Sequence, residues 1–196
     1  MRRWFLDAMS LRRDESSMLD YAITAEAAAW ITSYIRQERP SLVIELGSGF
    51  STMALGYACA EVGAELMTAD HDDRWLADVK AVLGLRACAD QAKHLSRLRV
   101  DGWSSLDALR SCDGMSGRAD LVLVDHGPNI EVRIEDLRWI VSLLRHGGLV
   151  ALDDCRDTTR YERRCRSVLF PLGMVLGRVE ESHGSDRWLG VARKRR

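Results

Sequence analysis

The chain has 196 residues, 46% hydrophobic and 29% charged, the make-up of one ordinary globular domain and not of a disordered or fibrous chain. A formal net charge of -1 gives no electrostatic reason to expect nucleic acid or an anionic membrane as partner, and no stretch approaches the ~20 apolar residues of a membrane span. The five cysteines are odd in number and match neither a disulfide framework nor zinc-ligand spacing, so reduced thiols in a cytoplasmic protein are expected.

Met1-Arg2-Arg3-Trp4-Phe5-Leu6 starts like a signal peptide, but Asp7 and then Arg12-Arg13-Asp14-Glu15 break the apolar run too early. Residues 1–40 read as a leader and 41–196 as the body of a single domain. Thr24 is placed to cap a helix through Ala27-Ala28-Ala29-Trp30-Ile31 toward Arg36, ended near Pro40. A strand, Ser41 to Leu46, and a helix, Phe50 to Val62, follow. The second strand, Ala64 to Asp70, leads into a helix with Trp75, Leu76, Val79, Val82 and Leu83 at helical spacing, core positions by default. A short third strand is read at Arg97 to Asp101, a turn at Gly102-Trp103-Ser104, and a helix at Leu106 to Leu109. Asp120 to Val124 is a fully apolar strand after its first residue, and it ends in Asp125-His126-Gly127-Pro128. Next come a helix, Val132 to Leu144, stopped by His146-Gly147-Gly148, and a buried strand, Leu149 to Leu152, ending in Asp153-Asp154. A helix from about Thr158 to Leu169 precedes two runs, Met174 to Val179 and Arg187 to Ala192, that give a hairpin signal. Strands separated by helices and closed by one hairpin predict an α/β fold with a doubly wound, seven-stranded mixed sheet.

The most informative run is Val43-Ile44-Glu45-Leu46-Gly47-Ser48-Gly49-Phe50-Ser51-Thr52. A strand that ends in a tight glycine turn and feeds a helix brings bare backbone against a ligand at the helix N-terminus. Glu45 stands just before the turn, within reach of a polar or cationic ligand. The dinucleotide fingerprint G-x-G-x-x-G is incomplete here, because Thr52 holds the place of the third glycine. Asp70, at the end of the second strand, is spaced to bond a ribose hydroxyl. These features read as a nucleotide-type cofactor site.

Glu45-Leu46-Gly47-Ser48-Gly49, Asp70, Asp120 to Asp125, Gly147 to Asp154 and the terminal hairpin together resemble the class I S-adenosylmethionine (SAM)-dependent methyltransferases, over about Tyr21 to Val191. The resemblance implies a Rossmann-like fold, with lid helices in the leader and a SAM-binding domain after it. It implies that Glu45, Gly47, Ser48 and Gly49 surround the methionine moiety and that Asp70, with His71 beside it, meets the ribose. Trp103 and Ser104 would border the adenine, and Asp125 and His126 would lie near the adenine or the reacting centre. The carboxylates are similar to those of the small metal-assisted O-methyltransferases of the catechol and caffeoyl-coenzyme A type. In that reading Asp125, Asp153 and Asp154 hold one divalent ion, Mg²⁺ or Mn²⁺, as suits an all-oxygen donor set. The alternative is that Asp153 and Asp154 serve only loop and backbone contacts.

One departure stands out: the lysine base that catechol-type enzymes carry three residues past the fourth-strand acid is replaced by Pro128. Proton removal then falls to the metal, to His126 or to Asp154, with His126 preferred for its ordinary pKa near neutrality. Gly127-Pro128-Asn129-Ile130 resembles a broader group of small bacterial methyltransferases, the family 24 type, whose substrates are diverse. The expectation is therefore a methyltransferase acting on the oxygen of a small-molecule acceptor, with no nucleic-acid or membrane partner. Methylation at nitrogen, carbon or a macromolecule stays open, as does a SAM-binding subunit without catalysis. Trp4, Phe5, Met9, Met18 and Tyr21 would supply an acceptor lid, a homodimer contact or plain packing, and Arg156 and Arg160 could meet an acidic acceptor.

Overall fold

A computed structural model of the chain describes residues 23–86, 102–103, 109–110, 114–126, 130–156, 160–180 and 187–195. Helix α1 (Ala25–Glu38) begins where Thr24, in extended backbone, accepts a hydrogen bond from the Ala27 amide at 3.1 Å. Strand β1 (Leu42–Leu46), helix α2 (Phe50–Val62), strand β2 (Glu65–Ala69) and helix α3 (Asp73–Arg86) follow in the expected order. Then come β3 (Gly102–Trp103), β4 (Ala119–Val124), α4 (Ile130–Leu143), β5 (Leu144–Arg156), α5 (Arg160–Leu169), β6 (Leu176–Glu180) and β7 (Arg187–Arg193).

The seven strands make one sheet in the order β3-β2-β1-β4-β5-β7-β6. Strands β3 to β5 pair in parallel through β1, and β7 inserts antiparallel between β5 and β6. All five residues of β1 and all six of β4 are buried, which is why both read as apolar runs and not as alternating ones. Period-2 geometry sends successive side chains to opposite faces. Val43, Leu121, Leu123, Leu149 and Ala151 join the core under α1, α2 and α3. Ile44, Leu46, Val122, Val124, Val150 and Leu152 join the core under α4 and α5.

Strand order reverses between the parallel neighbours β1 and β4, with β2 and β3 laid down on one side and β5 on the other, so a crevice opens beyond their carboxyl ends. At the opposite end, Asp120 Oδ2 accepts hydrogen bonds from the Ser41 and Leu42 amides at 2.8 and 3.0 Å, and Arg145 pairs with its other oxygen. That clamp sets the register of β1 against β4.

Three expectations change. Gly102–Trp103 is no turn: it pairs in parallel with Thr68 and Ala69, satisfying backbone groups that the outer edge of β2 would otherwise leave open. The expected third strand at 97–101 lies outside the described residues. Strand β5 runs past both expected ends, because the chain enters it directly from α4 at Leu144. It also continues through Asp153-Asp154, where Asp154 takes a left-handed φ of 60° and the ladder to β7 slips between Leu152 and Cys155. Trp75 is only partly buried, unlike Leu76, Val79, Val82 and Leu83. Among the described residues no helix is long and apolar enough to cross a membrane.

Candidate active site

The glycine turn is built against the end of β4. Gly47 has φ +96°, and a Cβ there would lie 2.2 Å from the Asp125 carbonyl oxygen. The Gly47 amide donates to Ala69 O at 2.8 Å and the Asp125 amide to Leu46 O at 2.7 Å, so three strand ends are stitched together at this residue. Gly49 caps α2 and donates its amide to Thr52 Oγ1 at 2.9 Å. Among the described residues, a Cβ at Gly49 would meet nothing nearer than Trp75, at 4.0 Å. The two glycines thus differ: one is required by the protein's own backbone, whereas the other is crowded by none of the described residues.

Glu45 is fully buried, and its Oε2 accepts from Thr52 Oγ1 at 2.7 Å and Thr68 Oγ1 at 2.8 Å. Its other oxygen has no hydrogen-bond partner among the described residues. Burial outweighs the hydroxyl hydrogen bonds and pushes its pKa up to about 7. Asp70 is tied to the turn: Ser48 donates both its amide and its hydroxyl to Oδ2 at 2.7 Å, and the Asp72 amide reaches Oδ1 at 3.0 Å. The exposed His71 lies beside it, with Nδ1 at 3.3 Å from Oδ1. Trp75 Nε1 donates to Ser48 O at 2.6 Å and holds the turn from the α3 side.

Asp125, Asp153 and Asp154 converge. Each offers a carboxylate oxygen, and the three lie within 4.8 Å of one another at the ends of β4 and β5. Hard oxygen donors at that spacing fit a magnesium- or manganese-type ion. Burial and the neighbouring Asp153 raise the Asp125 pKa well above the ordinary carboxylate range, against the pull of Arg133.

His126 is 2% exposed and faces Asp136 of α4, with Nε2 at 3.3 Å from Oδ2, while Nδ1 has no hydrogen-bond partner among the described residues. The geometry of an ion pair and the energetics of burial disagree here. Desolvation dominates, Arg133, His71 and Arg110 add repulsion, and the pKa falls to about 4. The imidazole is neutral at pH 7. Trp103 enters the structure as the last residue of β3, paired with Ala69; Ser104 and Pro128 lie outside the described residues.

A family model for a methyltransferase domain, family 24, matches residues 44–155, more than half of the chain. The chain belongs to that methyltransferase family. The matched span takes in the glycine turn, Asp70 and all three converging carboxylates. The transmembrane O-methyltransferase homolog of Mus musculus is 32% identical over 123 residues, covering 61% of this chain. The match spans 45% of that relative's length. Among solved structures, the O-methyltransferase TomG from Streptomyces achromogenes, involved in tomaymycin synthesis and in complex with SAM, superposes with a TM-score of 0.70 at 16% identity, over 100% of this chain and 91% of that one. An O-methyltransferase from Bacillus cereus in complex with SAH gives 0.69 at 13% identity, over 98% and 90%. At these identities the two structures show a shared fold.

Two residues of this methyltransferase domain escaped the sequence reading. Arg133, on the first turns of α4 and 6% exposed, donates Nε to His126 O at 2.7 Å and Nη2 to Asp125 Oδ1 at 3.3 Å. Its Nη1 reaches Asp153 O at 3.4 Å and lies 3.7 Å from Asp154 Oδ2. Asp136, one turn on, receives both His126 and Arg110, and the Arg110 guanidinium lies 5.1 Å over the Trp139 ring. The one available signal was a charged residue on each helix face otherwise occupied by Ile134, Leu137 and Ile140.

Proposed function

We propose that this chain is a SAM-dependent methyltransferase that methylates a hydroxyl oxygen of a small acceptor, with one divalent ion at Asp125, Asp153 and Asp154. The observation that carries the reading is the meeting of an open glycine turn and three carboxylates at the carboxyl ends of β1, β4 and β5. Bound SAM supplies an electrophilic sulfonium methyl. Bound Mg²⁺ or Mn²⁺ supplies Lewis-acid polarisation of the acceptor hydroxyl, lowering its pKa.

The chain's residues do the rest. Gly47 to Gly49 admit the methionine end against bare backbone, and the Glu45 oxygen that lacks a hydrogen-bond partner among the described residues gives that region a polar acceptor. Asp70, already fixed by Ser48 and the Asp72 amide, is held ready for ribose hydroxyls without side-chain reorganisation. His126 and Trp103 flank the adenine end in this assignment. Asp154, the most exposed of the three acids, is the group placed to take the acceptor's proton, whereas His126 is buried against Asp136. The buried thiols of Cys59, Cys155 and Cys165 suit a reducing compartment, which supports a cytoplasmic location.

Calorimetric titration with SAM, in Mg²⁺ and again in EDTA, followed by mass spectrometry of a panel of catechols and other hydroxylated acceptors, tests the reading. Saturable binding and a methylated product are expected. No SAM binding in either buffer overturns it. Binding with no product across the panel favours a non-catalytic SAM-binding subunit.

A further inference from the structure

Three carboxylates gathered at one sheet end require positive charge, and the fold supplies some before any metal arrives. A cation near a helix N-terminus sits at the wrong end of the helix dipole, so Arg133 is held there by something stronger. Its guanidinium bridges the ends of two strands: it reaches Asp125 and the His126 carbonyl on the β4 side, and Asp154 and the Asp153 carbonyl on β5. The planar, always charged fork of arginine suits that four-way contact, which a lysine cannot reproduce.

We propose that Arg133 is a built-in counter-cation of this cluster, holding it assembled without metal and competing with a divalent ion for Asp125 and Asp154. The competing half rests on the metal reading above. One guanidinium cannot neutralise three carboxylates, so the cluster still attracts a divalent ion. That ion must share carboxylates the guanidinium already holds, and it meets a fixed positive charge in the same crevice. The consequence is weakened divalent-ion affinity and a fold that does not depend on the ion. Removing the guanidinium exchanges those properties: the acids repel one another without metal, and bind it more tightly with metal.

The test uses Mn²⁺, with the free ion followed by electron paramagnetic resonance, on the full chain and on Arg133→Met. Thermal melts in EDTA and in Mn²⁺ accompany each titration. The variant is expected to bind Mn²⁺ at least tenfold more tightly than wild type, to melt lower in EDTA, and to regain most of that loss in Mn²⁺. If wild type binds Mn²⁺ and the variant binds no more tightly, competition by Arg133 is overturned while the metal site stands. If a folded variant and wild type both fail to bind Mn²⁺, the metal reading falls and the competition with it. A variant that melts as high as wild type in EDTA overturns the counter-cation role. Should Arg133→Met fail to fold, Arg133→Gln decides: a gain in Mn²⁺ affinity of threefold or more supports the proposal, and no gain overturns it.

Discussion

Gly47→Ala and Gly49→Ala separate what the glycine turn does for the fold from what it does for a ligand. At Gly47 a left-handed φ of +96° costs an alanine about 1–2 kcal/mol. Its Cβ would sit 2.2 Å from Asp125 O, 2.5 Å from Asp125 C and 2.9 Å from His126 N, all backbone atoms. Relief requires the end of β4 to retreat by roughly 1 Å to reach ordinary contact distance. That retreat breaks or stretches the Gly47 to Ala69 and Asp125 to Leu46 hydrogen bonds, about 1 kcal/mol each. The expected destabilisation is about 3–5 kcal/mol, a fall in Tm on the order of 10 °C for a domain of this size. At Gly49 no described residue comes closer than 4.0 Å, so alanine is expected to cost only its poorer capping, at most about 1 kcal/mol. SAM affinity should nevertheless fall at least tenfold in Gly49→Ala, because the added methyl enters the space assigned to the cofactor. Differential scanning fluorimetry and calorimetry read both quantities. A Gly49→Ala protein that binds SAM as tightly as wild type would refute the placement of the cofactor over the turn. A Gly47→Ala protein that melts like wild type would refute the stitched geometry of the three strand ends.

Burying Glu45 raises its pKa from 4.5 to about 7, so the native state holds this proton more tightly than the unfolded chain does. Stability should therefore fall as pH rises from about 4.5 to about 7, by about 3 kcal/mol from this group, and Glu45→Gln should flatten that part of the Tm–pH profile; parallel profiles for the two proteins would count against it. Asp154→Asn is expected to lower kcat by about 10²-fold or more with SAM affinity within about threefold. His126→Ala should weaken SAM binding and turnover together, and a loss confined to kcat would return the base role to the imidazole. Asp120→Ala should cost about 2–3 kcal/mol in melts by orphaning the Ser41 and Leu42 amides, yet leave calorimetric SAM affinity unchanged, since it lies at the far end of the sheet.

Features that depend on local chemistry were legible in the chain. Helix α2 begins and ends at the residues expected from the glycine turn and from Val62, and Thr24 caps α1 through its own hydroxyl. Asp125, Asp153 and Asp154 are grouped through the resemblance to metal-assisted O-methyltransferases, and their places after apolar parallel strands agree with that grouping, since such a sheet puts these residues at one end. Features that depend on packing were not. Gly102–Trp103 looks like a turn in isolation and becomes a strand only because β2 has an edge to satisfy.

Arg133 is the sharper case, because local rules point the wrong way. A charge near the start of a helix is an acid by preference, and an arginine there reads as a solvated side chain. Its partners are 8 and 20 residues distant, on strand ends that share no periodicity with α4. With 28 basic and 29 acidic side chains in the sequence, pairing rules alone cannot choose among them. Desolvation does the choosing: a buried guanidinium is tolerated only where oxygens surround it, and the ends of β4 and β5 are where the fold collects them. The same collecting of oxygens is what the proposed divalent ion would use. On that proposal metal affinity and metal-free stability are set against each other by a single side chain, and exchanging that side chain should trade one for the other.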